Sequence, residues 1–139
     1  MAKPDCLFCS IVKGETPAAI VGRGNGWLAF LDVAPVFFGH VLVVPEVHRE
    51  TLVDLDAAEV PVLFGAAQQI ARAVTTATNA QGTFVAMNNK VSQSVPHLHV
   101  HVVPRTKGDG LRGFFWPRKK YPSEDDKELV RAAIAKELA

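Results

Sequence analysis

The chain has 139 residues, of which 48% are apolar and 21% are charged, and its formal net charge is +1 at pH 7. This length and composition predict one globular domain over residues 1–139 with a core of its own. A nearly neutral chain lacks the basic field of a general nucleic-acid or membrane-surface binder, so neither kind of partner is expected.

The first segment combines a helix with the chain's two cysteines. MAKPDCLFCS has no long apolar core of the signal-peptide kind, and no run in the chain approaches the ~20 apolar residues of a membrane span, which predicts a cytoplasmic protein. Residues 5–13 predict a short helix that carries Cys6 and Cys9. In a reducing compartment, a C-x-x-C pair is more often a metal or redox pair than a structural disulfide.

Two strands are predicted next. Three glycines within residues 22–26 indicate a turn. The aromatic and aliphatic run over 27–33 predicts a strand, and residues 40–46 predict a second one.

A long amphipathic helix is predicted over residues 56–78. Asp56 and Glu59 have the spacing of a capping box, and Pro61 predicts a start one turn late because an interior proline removes a hydrogen bond. One apolar face recurs at helical spacing, formed by Val60, Leu63, Phe64, Ala67, Ile70, Ala71 and Val74.

The remaining elements complete an α+β fold. Residues 82–88 and 97–104 predict two more strands, and Ser123 predicts the cap of a final helix through residue 138. That helix is expected to turn four side chains inward, those of Leu129, Val130, Ala133 and Ile134. The predicted fold is a mainly antiparallel β-sheet with helices packed on it.

Three histidines alternate along the predicted strand over 97–104. Side chains at i, i+2 and i+4 of a strand share one face, so His97, His99 and His101 point the same way. A packing role does not explain such an alternation, and two chemistries remain open at this point. His-x-His on a strand can bind zinc, or one imidazole can attack phosphorus as a nucleophile.

This segment resembles the His-φ-His-φ-His-φ-φ signature of the histidine triad (HIT) superfamily, which comprises nucleotide hydrolases and transferases. The resemblance extends to CLFCSIVKGETPA, to WLAFLDVAPVFFGHVLVVPEVH and to NN…QSVPHLHVHVVPR, in the family's order. It implies a HIT-like fold, most similar to the bacterial zinc-containing and purine nucleoside phosphoramidase (Hint) members. It also implies a C-terminal extension with a helix, over about 106–139.

The resemblance implies a role for each residue of the catalytic segment. His99, in the middle of the triad, corresponds to the nucleophile on the α-phosphorus, and His101 to a donor to the phosphate oxygens. Ser94 corresponds to the contact with the leaving group. Gln93 is expected to bind a bridging or phosphate oxygen, and Asn88 to hold the phosphate side of the nucleotide.

The nucleotide site implied by the resemblance has a carboxylate and apolar walls. Asp32 corresponds to the family's ribose-binding residue, although a turn or strand-end role would be as probable without the resemblance. The base pocket corresponds to Leu7, Phe8, Ile11, Phe30 and Val33, which would otherwise be assigned to the core.

The resemblance further implies a structural zinc ion held by Cys6, Cys9, His48 and His97. Two thiolates and two imidazoles complete a tetrahedral site with no position left for water. A reduced cysteine pair without metal is the alternative. His40 either supports the site through another residue or ends a strand.

One segment departs from the family pattern. Lys90-Val91-Ser92 is shorter and poorer in glycine than the corresponding loop of many relatives, which leaves the backbone donors for phosphate unassigned. Lys90, the one cation of that loop, is either a phosphate contact or a solvated surface residue.

The leading functional interpretation is a phosphoramidase-type hydrolase that acts on a purine nucleotide, and the resemblance implies a homodimer. A dinucleoside polyphosphate hydrolase, a nucleotide-binding protein with little turnover, and a zinc hydrolase are the alternatives.

Overall fold

The structure, a computed structural model, describes residues 2–112 and 118–138. Contacts divide the chain into two compact units, Met1–Asp109 and Gly110–Ala139. No helix among the described residues is both long and apolar enough to cross a membrane.

The first unit is built on one antiparallel sheet in the order β1-β2-β3-β5-β4. This confirms the predicted α+β class. The elements are α1 (Leu7–Val12), β1 (Ile20–Gly24), β2 (Trp27–Leu31), β3 (Val41–Pro45), a short 3-10 helix (Leu52–Asp54), α2 (Glu59–Thr78), β4 (Gly82–Ala86) and β5 (Val100–Arg105).

The sheet is covered on both faces. Every residue of β3 is buried, as expected of a central strand. On one face the core consists of side chains from α2, the sheet and the segment before β5, among them Leu63, Ile70, Leu98, Val100 and Val102. On the other face a second cluster joins α1 to β2 and β3 through Phe8, Ile11, Phe30 and Leu42.

Helix α2 begins close to where its sequence predicts and differs from the prediction on its flank. It begins at Glu59, three residues after Asp56, which agrees with the delay of about one turn expected from Pro61; this proline lies in the first turn, where its missing amide has no partner within the helix. Val60 and Phe64 are 37% and 45% exposed, whereas Leu63 and Ile70 are buried. The buried side is therefore narrower than the apolar pattern suggested.

The second unit contains α3 (Glu124–Leu138), which is capped as predicted by a hydrogen bond from the Asp126 amide to Ser123 Oγ at 3.1 Å. The expected inward face is wrong: Leu129, Val130, Ala133 and Ile134 are all exposed. Helical spacing of apolar residues shows that one side is apolar, but it does not supply a surface to cover that side.

Candidate functional site

His99 lies at the approach to β5, and its tautomer is fixed by the backbone. Its Nδ1 lies 2.7 Å from the carbonyl oxygen of His97. A carbonyl only accepts, so Nδ1 carries the proton and Nε2 keeps its lone pair. The ring is 3% exposed and packs edge-on against Phe8, with ring centroids 5.1 Å apart. In its neutral form, His99 therefore presents an oriented Nε2 with a free lone pair.

A chain of hydrogen bonds also sets the tautomer of His101. The Val36 amide donates to His40 Nδ1 at 3.1 Å, which places the His40 proton on Nε2. His40 Nε2 then donates to His101 Nδ1 at 2.9 Å. The proton of a neutral His101 is left on Nε2, which makes that nitrogen a donor.

Burial keeps both of these imidazoles neutral at pH 7. The pKa of His101 is lowered to about 4 by burial first, and next by the neighbouring His99 and His40. Burial also lowers the pKa of His40, although the nearby Asp32 carboxylate opposes the shift. The hydrogen bond between the two rings needs one proton, on His40 Nε2, and a lone pair on His101 Nδ1. Two neutral imidazoles meet this requirement.

The backbone before β3 is shaped to deliver His40. Gly39 has φ +99°, a conformation that side chains with a Cβ rarely adopt. An added Cβ would also lie 2.7 Å from Thr78 Cγ2 on α2. Glycine at this position therefore lets the turn pass close to α2 and place His40 against His101.

One cavity of about 320 Å³ brings together most of the predicted site residues. Its polar side is formed by Asp32, Ser94, His99 and His101. Its apolar walls include all five predicted base-pocket residues, Leu7, Phe8, Ile11, Phe30 and Val33. Apolar walls with a few convergent polar groups are typical of a small-ligand site.

Further walls of this cavity were not predicted from the sequence. Thr16, Pro17 and Ala18 line it between α1 and β1, and Leu42 lines it from β3. Leu42 pairs with Phe30 across β2 and β3, so the register of a correctly predicted hairpin would have indicated it. The 16–18 segment has no periodicity that could have done so.

Asp32 stands at the end of β2 with one oxygen engaged and one directed towards the histidines. Its Oδ1 accepts a hydrogen bond from the Ala34 amide at 2.9 Å, and its Oδ2 lies 3.6 Å from His40 Nε2. The carboxylate therefore lies in the cavity wall beside the imidazole pair.

Three loop residues stand apart from the cavity lining. Asn88 is exposed after β4. The Gln93 side chain accepts from the Lys90 amide at 2.8 Å and donates to the Glu50 carbonyl at 2.6 Å. Lys90 Nζ lies 2.8 Å from Glu50 Oε1 on the surface. This geometry favours the surface interpretation of Lys90 over a phosphate contact.

The four predicted zinc donors form a compact cluster. Their ligand atoms all lie within 4.8 Å of one another. His97 Nδ1 lies 3.4 Å and 3.5 Å from the sulfurs of Cys6 and Cys9, and His48 Nδ1 lies 3.3 Å from Cys9 Sγ. Tetrahedral zinc with its usual bond lengths separates sulfur and nitrogen ligands by about 3.5 Å, so the donors fit zinc.

The orientation of His97 supports the same assignment. Its Nε2 donates to the Pro45 carbonyl at 2.8 Å, which leaves Nδ1 as a lone pair facing the two sulfurs. A ring nitrogen held by a backbone carbonyl is the usual support of a metal-binding histidine. The N-terminal segment and β3 are thus brought together at this cluster.

A second group, Asp32, His40 and His101, has comparable spacing but poorer chemistry for a metal. The Val36 amide occupies the Nδ1 lone pair of His40, which forces its proton onto Nε2. That nitrogen cannot bind a cation while it carries the proton.

Comparison with known proteins finds relatives that match most of the chain. The HIT domain family model matches residues 13–108. Protein hit of Bacillus subtilis is 36% identical over 97% of this chain and 95% of its own length. Adenosine 5'-monophosphoramidase hnt1 of Schizosaccharomyces pombe is 33% identical over 89% and 92%. A zinc-bound histidine triad family protein from Mycobacterium smegmatis has 36% identity and a TM-score of 0.74, covering 95% of this chain and 94% of its own.

Proposed function

Since this chain belongs to the HIT domain family, we propose that it is a nucleotide hydrolase acting at the α-phosphate of a purine ribonucleotide. The reaction would be of the phosphoramidase type, with a nucleotidyl-histidine intermediate. The name of the fission-yeast relative favours this reaction over a dinucleoside polyphosphate hydrolase. The observation that carries the proposal is the fixed tautomer of His99 at the cavity wall.

His99 is the proposed nucleophile because its Nε2 needs no base to remove a proton before it attacks. The new Nε2–phosphorus bond forms as the bond to the leaving group breaks, and the leaving group takes the electron pair. Ser94, which lines the same cavity, is the proposed contact to that group. Water then cleaves the phosphorus–nitrogen bond and restores His99, so that one difficult displacement becomes two easier ones.

The other groups bind and orient the nucleotide. His101 Nε2 is the proposed donor to the phosphate oxygens, where negative charge accumulates in the transition state. Asp32 is the proposed acceptor for the ribose hydroxyls, with the base against the apolar walls. Asn88 and Gln93 are proposed phosphate contacts that would have to approach the cavity when substrate binds.

The proposed zinc ion is structural. Cys6, Cys9, His48 and His97 would complete its coordination and leave no position for water, which favours this role over a zinc hydrolase. Bound zinc would tie the N-terminal segment to the sheet. The M. smegmatis relative supports this proposal as a zinc-bound protein of the same family.

Four sequence predictions stay predictions: the homodimer, the cytoplasmic location, the single domain over 1–139 with its zinc-binding segment at 5–13, and the C-terminal extension over 106–139.

A turnover panel tests the proposed function. Adenosine and guanosine phosphoramidates, adenylyl sulfate and diadenosine polyphosphates would be compared on the purified protein and on His99→Ala. We expect phosphoramidate hydrolysis that His99→Ala reduces by several orders of magnitude while nucleotide binding persists. Near-normal turnover by His99→Ala would contradict the assignment. Binding without turnover of any substrate by the wild-type protein would instead support a nucleotide-binding protein.

A further inference from the structure

The loop that leads to Ser94 has a backbone that its own sequence does not favour. Lys90 and Ser92 have φ values of 70° and 60°, in the left-handed region that glycine adopts most readily. Non-glycine residues persist there when surrounding contacts hold them. We call residues 89–94 the catalytic loop, because it ends at the proposed leaving-group contact.

The contacts that hold the catalytic loop come from residues 50–52. Glu50 makes two of them: its carboxylate accepts from Lys90 Nζ at 2.8 Å, and its carbonyl oxygen accepts from Gln93 Nε2 at 2.6 Å. The Leu52 amide donates to Asn89 Oδ1 at 2.7 Å. Both ends of the loop are thus attached to the same short segment.

A hydrogen bond inside the catalytic loop links these attachments. The Lys90 amide donates to Gln93 Oε1 at 2.8 Å, so the Gln93 amide group bridges the Lys90 backbone and the Glu50 backbone. Glu50 is thereby bonded to Lys90, one of the two left-handed residues, and to Gln93, which follows the other. The pairing also raises the pKa of Lys90 above its usual range.

The 50–52 segment is itself attached, through the preceding residue, to the backbone beside His99. It follows His48, one of the proposed zinc donors, and the intervening Arg49 carbonyl accepts from the Leu98 amide at 2.7 Å. Leu98 lies between His97 and His99. Glu50 is therefore attached to the same stretch of backbone that positions the proposed nucleophile.

We propose that Glu50 is a positioning residue for the catalytic loop: its ion pair with Lys90 fixes where Ser94 stands relative to His99. The inference rests on the proposed function, since it names what sets the leaving-group side of that site. Loss of the ion pair should reduce kcat and leave KM nearly unchanged, because the leaving group is contacted most strongly as its bond breaks.

The exposure of the two side chains sets the size of the expected loss of kcat and its dependence on salt. The Lys90 and Glu50 side chains are 66% and 43% exposed, so the ion pair contributes a factor of up to about five. Glu50→Gln and Lys90→Met should each lower kcat by about two- to fivefold. The loss should shrink as salt rises, since charges at the surface are screened within about 8 Å at physiological ionic strength.

The decisive variant is the charge exchange Glu50→Lys with Lys90→Glu, which restores the pair in reverse. Turnover by Glu50→Gln, by Lys90→Met and by the charge-swapped double variant would be measured, together with the rate of amide hydrogen exchange in residues 89–94. Glu124→Gln, which removes a surface ion pair with Lys127 in α3, is the matched control. We expect faster amide hydrogen exchange and a lower kcat in the two single variants. Both quantities should return towards the wild-type values in the charge-swapped double variant and should be unchanged in the control.

Two results would overturn the inference. Unchanged hydrogen exchange in Glu50→Gln would show that the ion pair does not hold the loop, and this readout does not depend on turnover. Higher kcat in Glu50→Gln combined with lower kcat in Lys90→Met would make Lys90 a phosphate contact that Glu50 restrains. Absence of wild-type turnover, by contrast, would contradict the proposed function while the exchange data still decide the role of Glu50 in the loop.

Discussion

His40 offers a sharp test of how the backbone prepares His101. The ring is 3% exposed and joins the Val36 amide to His101 Nδ1 through bonds of 3.1 Å and 2.9 Å. In His40→Phe the donor to His101 Nδ1 is lost. His101 can then take its proton on Nδ1, which turns Nε2 from a donor into an acceptor facing the phosphate.

The expected loss of kcat in His40→Phe follows from the lost His101 donor to the phosphate. A hydrogen bond to a charged group contributes about 1.5–3 kcal/mol, which corresponds to about 10- to 150-fold in kcat. His40→Phe also removes the acceptor of the Val36 amide; Val36 is 50% exposed, so the cost in folding free energy is about 0.5–1.5 kcal/mol, the net contribution of an ordinary hydrogen bond. Stability and turnover must therefore be measured separately.

The assay combines kinetics with nitrogen NMR of the His101 ring. His40→Gln is the matched variant, because its amide can still donate towards His101, and it should retain more activity than His40→Phe. The His101 proton should lie on Nε2 in the wild-type protein and redistribute to Nδ1 in His40→Phe. A proton that stays on Nε2 in His40→Phe, or an unchanged kcat in that variant, would refute the tautomer argument.

Three other predictions address metal, sugar and pH. Purified protein should contain about one zinc per chain, and Cys9→Ser should lose the metal and lower the melting temperature; a metal-free wild-type protein of equal stability would contradict the zinc site. Asp32→Asn should lose discrimination between ribo- and deoxyribonucleotides, because two charge-assisted bonds of about 1.5–3 kcal/mol each are weakened; an unchanged ratio of kcat/KM values would remove Asp32 from the ribose site. The side-chain hydrogen bond from Arg49 lowers the pKa of Glu59 from 4.5 to about 2. The stability that the ionised Glu59 contributes is present above pH 4.5 and is lost as the pH falls to about 2. Urea titrations should therefore show a smaller loss of unfolding free energy across this pH window in Glu59→Gln than in the wild type. An equal loss would refute this contribution.

Local pattern was sufficient to place the histidines. Alternation along an extended segment put His99 and His101 on one face, and both line the cavity. Leu98 and Val100, on either side of His99, lie in the core under α2. The zinc donors were different, since Cys6 and His97 are 91 residues apart and only the family resemblance joined them.

Other features depend on tertiary contacts that no local pattern encodes. The partners of Gln93 were not predictable, because its position depends on a loop with two left-handed residues and on a bond to the Glu50 carbonyl, 43 residues away in the sequence. The hydrogen bonds from Val36 through His40 to His101 depend on the turn at Gly39, whose conformation is explained by its close approach to Thr78 of α2. The predicted burial of one face of α3 is wrong for the opposite reason: the apolar pattern along the helix is clear, but its apolar side is exposed.

The stereochemical course at phosphorus tests the central claim most directly. A nucleotide substrate made chiral at its α-phosphorus with sulfur and oxygen isotopes would be hydrolysed by the protein, and the configuration of the product would be determined. Attack by His99 followed by attack of water inverts the phosphorus twice, so we predict net retention. Net inversion would show that water attacks the substrate directly and would contradict a nucleotidyl-histidine intermediate.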